Sequence, residues 1–182
     1  MGPSPLAWGN EPSEGESVFV EDFIELDVPF EEVRRRLSEG AERWLAPLAT
    51  EAAHHGEATV IALGAAENPV FVEQDVTVVV DRPLGDGDVI TVPIRWQATG
   101  HVNLFPVMDG HLEACPLGYK GTATHLQFLG HYDPPGGPVG RVIDRIALHH
   151  LAEACVRSFL HRVADGLAGV NTRAGPWPLP GP

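Results

Sequence analysis

The chain is poor in the residues that would make it a disulfide scaffold, a membrane protein or a nucleic-acid binder. Two cysteines in 182 residues, Cys115 and Cys155, cannot staple a fold, and their spacing matches neither a zinc knuckle nor a redox Cys-x-x-Cys. They are expected as reduced, buried thiols of a cytoplasmic protein. No apolar run approaches the ~18 residues that suggest a membrane span. Met1 to Ser17 lacks the basic-then-apolar order of a secretory signal, and Leu6 stands where a myristoylation motif wants Ser or Thr. Basic residues are few: 12 Lys and Arg against 25 Asp and Glu leave a net charge of −13. Such a surface repels phosphate backbones and anionic headgroups, so nucleic acid is not expected as a partner. There is no GxSxG elbow and no HExxH, and Gly85-Asp86-Gly87 lacks the strand, helix and spacing of a dinucleotide loop.

What remains is an ordinary globular composition, 43% hydrophobic, long enough for one domain with tails. Residues 1–16 and 169–182 are Pro- and Gly-rich and bury too little apolar surface to offset ordering entropy, so both read as tails around a domain spanning 17–168. Val18 to Val28 alternates as a strand, and Pro29 opens a helical pattern of Phe30, Val33, Leu37, Ala41, Trp44, Leu45 and Leu48. That pattern predicts one helix broken near Gly40 or two short helices. Glu57 to Gly64 reads as a short strand and Val70 to Asp81 as a longer one, ending in a turn at Arg82 to Gly87.

Asp88 to Ala98 carries Ile90, Val92, Ile94 and Trp96 on one side and polar residues on the other, the mark of a sheet covered on one face. Asp109-Gly110 suits a hairpin turn between Phe105 to Met108 and His111 to Leu117. From Gly121 to Tyr132 a last strand places Thr124, Leu126, Phe128 and Tyr132 on one side, with His125 and His131 opposite. After the stiff Asp133-Pro134-Pro135-Gly136-Gly137-Pro138 corner, a helical pattern runs from Val139 to about Leu167. This single terminal helix is expected to cover an otherwise open sheet.

Strand, helix pair, five or six antiparallel strands and a long helix is the order of the START/Bet v 1-like superfamily, which includes polyketide cyclases and lipid-transfer proteins. Residues 17–168 resemble it throughout. Val28-Pro29-Phe30-Glu31-Glu32-Val33 resembles the strand end that starts the first helix, with Val28 in place of the usual Ala, and Gly121-Thr122-Ala123-Thr124-His125-Leu126 resembles the closing strand. The resemblance implies an α+β helix-grip fold: a curved antiparallel β-sheet wrapped around a long C-terminal helix, with two short helices after the first strand. It also implies that the gap between sheet and helix is the ligand site.

The terminal helix sharpens that expectation. At ~100° per residue, Leu148, Ala152, Cys155, Val156, Phe159, Leu160 and Val163 share one face, and His150, Arg157, His161 and Asp165 the other. One turn earlier the apolar face carries Arg145 and His149, whose polar heads need partners or solvent. Arg145 is either an overhanging solvated residue or, with His149, the polar end of a cavity. The candidate lining is Val76, Val78, Ile90, Val92, Ile94, Trp96, Leu126, Phe128 and Ala152, with Gln74, Thr124, Arg145, His149 and Tyr132 as polar points. No metal is expected: His54-His55 reads as a helix C-terminal pair before Gly56, His149 and His150 diverge by about 100°, and His125 and His131 lie roughly 20 Å apart along a strand. No cofactor is expected either.

Three readings of function follow. The first is a carrier or sensor holding a small hydrophobic or aromatic molecule between sheet and helix. The second is an aromatase or cyclase using the same cavity, with Arg145, His149 and Tyr132 as candidate catalytic residues: His149 moves protons, Arg145 stabilises an enolate and Tyr132 donates a hydrogen bond. The third is a protein-interaction module whose cavity is filled by bulky side chains.

Overall fold

Alternating apolar residues and a glycine break generate the first three elements. In the computed structural model, which describes residues 17–62, 76–85, 87–98, 107–133 and 145–169, β1 spans Val18–Leu26 and α1 spans Phe30–Ser38. Pro29 precedes α1 with its carbonyl accepting from the Glu32 and Val33 amides at 3.0 and 3.2 Å. Gly40, at φ +80°, breaks the helical run in a conformation that glycine adopts without strain. The chain then turns into α2, Ala41–Ala62.

This second helix is longer than its sequence suggests. The Glu57 to Gly64 segment, which reads as a strand from its β-branched residues, is helical as far as Ala62, and His54-His55 lies inside the helix rather than at its end. Propensity is a weak prior, and an alanine-rich helix already packed on its neighbours carries the following turns with it. Pro47 stands inside the helix without ending it.

The other strands are β2 (Val76–Val80), β3 (Ile90–Ala98), β4 (Val107–Leu117) and β5 (Ala123–Asp133), and α3 spans Arg145–Leu167. Among the described residues the five strands form one antiparallel sheet in the order β1-β5-β4-β3-β2. The predicted hairpin at Asp109-Gly110 is absent: β4 runs straight through it, Asp109 opposite Arg95 and His131, Gly110 opposite Ile94 and Gly130. Two contacts explain this. Asp109 pairs with the Arg95 guanidinium across the sheet, and a Cβ at Gly110 would collide with the Phe128 ring and come within 2.7 Å of the Leu129 carbonyl. The glycine serves close approach, not a turn.

The helical layer also differs from expectation. α3 crosses the β1 side of the sheet, but α2 packs along α3 and covers β2, so two helices share the cover. Fully buried Ala49, Ala52 and Ala53 leave room for that approach. The Trp96 indole donates to the Ala49 carbonyl at 3.2 Å, and the Cys155 thiol to the Ala53 carbonyl at 3.8 Å, tying sheet and α3 to α2. At the far end Arg36 of α1 donates to the Gly166 and Leu167 carbonyls at 2.8 and 2.9 Å, capping the C-terminus of α3. Gln74, the tails and the 134–144 corner lie outside the described residues, as does the side chain of Arg145.

Candidate functional site

The covered face of the sheet is built in rows. Row by row from the N-terminal end of α3 towards α1, it presents Val18, Tyr132, Met108, Trp96 and Val78, then Val20, Gly130, Gly110, Ile94 and Val80, then Asp22, Phe128, Leu112 and Val92. The apolar stripe expected on α3 meets it: Leu148, Ala152, Cys155, Val156, Phe159, Leu160 and Val163 are all buried. Between the layers, Trp96, Phe128 and Phe159 pack edge to face, with centroids 5.2, 5.4 and 6.2 Å apart. The Phe128 ring occupies the space over Gly110 and Gly130.

Polar groups gather at the end where α3 begins. The buried Tyr132 hydroxyl lies 3.5 Å from His149 Nδ1. On the opposite edge of that imidazole, Nε2 lies 3.4 Å from Glu153 Oε1, and the second oxygen of Glu153 lies 3.4 Å from His150 Nδ1. His149, His150 and Glu153 are half exposed while Tyr132 is buried, so the cluster runs from the core to the surface. Sequence reasoning missed Glu153. The signal was available: it stands four residues after His149 and three after His150, both neighbour positions on a helix.

Thr124 stands apart from Tyr132 and His149. Thr124 is buried eight residues from Tyr132 on β5, roughly 27 Å away in an extended strand. Its hydroxyl donates to the Val28 carbonyl at 2.7 Å, which ties β5 to the entry of α1. Val76, Ile90, Val92, Ile94, Trp96, Leu126, Phe128 and Ala152 are buried, and Val78 is half-buried. Ile90 stands at the far end too. There it borders a surface hollow of ≈ 340 Å³ with Ser38, Gly40, Glu42, Arg82, Pro83, Leu84 and Gly85.

The sequence matches no protein-family model and no curated protein. Solved structures are similar. A conserved protein from Geobacillus kaustophilus superposes with a TM-score of 0.51 at 10% identity, over 84% of this chain and 96% of that one. The fold is an α+β helix grip. The Zhui aromatase/cyclase from Streptomyces sp. R1128 aligns with a TM-score of 0.41 at 15% identity, over 87% of this chain and 98% of that one. A START superfamily protein from Mycobacterium smegmatis aligns at 0.28 and 12%, over 80% and 96%. At these identities the likeness is one of fold alone.

The outer face of this helix grip is chemically different from its interior. Phe19 and Phe23 of β1 are exposed there, Phe23 stacking on His125 at 5.3 Å, and Gln127 donates to Glu113 at 2.7 Å. Cys115 lies on this face and Cys155 in the interior, so no disulfide joins them. Partial burial, with Glu113 alongside, pushes the Cys115 thiol above its ordinary range. Among the described residues no three His, Cys, Asp or Glu side chains come together to hold a metal, and no helix is long and apolar enough to cross a membrane.

Proposed function

We propose that the protein binds one small hydrophobic or aromatic molecule in the grip between the sheet and α3, as a carrier or sensor of the cytoplasm. One observation carries this reading: an apolar interior ends at a small set of converging polar groups, Tyr132 and His149, next to solvent. A few placed polar groups in an apolar surround are what orient a small ligand. The ligand would lie on the Tyr132, Met108 and Trp96 row and under Leu148 and Ala152, with Val76, Val78, Gln74 and Arg145 as further lining.

A panel of fatty acids and polyphenols, screened by the rise in melting temperature, tests the proposal. At least one member should stabilise the wild type by mass action. Tyr132→Phe and His149→Ala should lower that shift while melting cooperatively on their own. A flat response across the panel contradicts the reading. The enzyme alternative, an aromatase or cyclase, draws support from the Tyr132, His149 and Glu153 chain, which has the donors and acceptors for acid/base work on a carbonyl compound. The filled-cavity alternative draws support from the Trp96, Phe128 and Phe159 cluster. A flat panel would favour it.

A further inference from the structure

We propose that Phe128 is the length stop of the grip, so that the ligand is a compact aromatic molecule, one ring with a short substituent, and not a long acyl chain. The inference rests on the ligand-binding reading and deepens it by naming the size class that the site takes.

The position of the ring carries the argument. Phe128 stands on β5 four residues before Tyr132, roughly 13 Å down the strand. Its ring does not stay in its own row. The Cε1 atom lies 2.8 Å from the place a Cβ would take at Gly130, and Cζ blocks the corresponding place at Gly110, so the ring leans one row towards the Tyr132 end. It takes the room that two side chains would otherwise fill. About one row, roughly 7 Å of strand, then separates it from the row of Tyr132 and Met108.

The ring is also held in place. Trp96 of β3 meets it edge to face at 5.2 Å and Phe159 of α3 at 6.2 Å, while Trp96 and Phe159 meet each other at 5.4 Å. All three rings are fully buried, and the Trp96 indole is pinned by its bond to the Ala49 carbonyl of α2. Sheet, α2 and α3 therefore all support one partition, and pushing it aside forfeits the three ring contacts together. A tail entering from the end where α3 begins meets this partition after about one row. Up to it, each methylene leaves water for apolar surroundings, a gain of about fourfold in affinity. Past it, a methylene either stays in water or displaces packed rings, and neither adds affinity.

The probes are 4-n-alkylphenols from methyl to octyl, titrated calorimetrically into the full chain. Wild type should gain about fourfold per carbon through propyl and nothing from pentyl onward. Phe128→Ala should bare the strip over Gly110 and Gly130 and carry the rise to hexyl or beyond, so that it binds octylphenol at least about tenfold more tightly than wild type does. Phe128→Leu, the milder truncation, should move the limit part of the way and keeps the test open where the alanine variant does not fold. Leu37→Ala removes a buried side chain of α1 at the far end of the molecule. It should melt earlier yet keep the wild-type limit, which separates a stop from general loosening of the core.

An affinity that climbs steadily to octyl in wild type overturns the inference and leaves the ligand-binding reading intact. A limit that stays at propyl in both Phe128 variants does the same. Failure of every alkylphenol and of the stabilisation panel sinks that reading, and this inference with it.

Discussion

Gly110 and Gly130 face each other across β4 and β5 beneath the ring of Phe128, so the aromatic centre of the grip depends on two missing side chains. Gly110→Ala should lower stability by about 1–3 kcal/mol, because the added methyl forces either Phe128 or the strand backbone to move. Urea unfolding measures it, and an unchanged midpoint would show that the sheet yields more easily than its packing implies. Cys115 offers a second check at this scale. Since burial and Glu113 raise its thiol, alkylation by iodoacetamide should lag behind that of an unhindered cysteine near pH 8 and accelerate as the solution is made more alkaline. A profile matching free cysteine would contradict that. Of the candidate site residues, Tyr132 and His149 are legible from alternation and helical phase, and the structure brings these two side chains together. Glu153 is hard to single out in the sequence because a glutamate on a half-exposed helix face looks like any solvated charge until a histidine is found one turn away.

At the scale of elements, the ends of α3 are held by different means. Its C-terminus meets the Arg36 guanidinium, which satisfies two carbonyls left over by the helix and opposes the negative end of its dipole. Arg36→Ala should cost about 1–2 kcal/mol and speed amide exchange in the last turn; unchanged exchange there would mean that the cap is idle. The edge strand β1 carries Asp22 on the covered face, answered by Arg157 of α3 at 3.3 Å, an inward charge that discourages pairing with foreign strands. Element boundaries were readable wherever one face is wet and the other dry, as in β3, β5 and the later turns of α3. They were misread where tertiary contacts override local signals. Asp109-Gly110 has the chemistry of a turn, but a cross-strand ion pair and a close ring contact keep it extended. The end of α2 has the composition of a strand, but it continues a helix already packed against α3.

For the whole molecule, the order of strand, helix pair, antiparallel strands and long helix was enough to name the architecture, since few layer arrangements accommodate it. The order could not show that α2 shares the cover of the sheet, because that depends on three small buried alanines and on where the helix stops. The account's central claim is that this grip holds a small molecule at its Tyr132 end. Native mass spectrometry of the intact chain tests it most directly, first as purified and then after incubation with the fatty acid and polyphenol panel. The expected result is a one-to-one adduct with at least one compound, weakened in Tyr132→Phe and in His149→Ala. A bare protein mass under every condition would contradict the claim and leave the aromatic centre as a filled core.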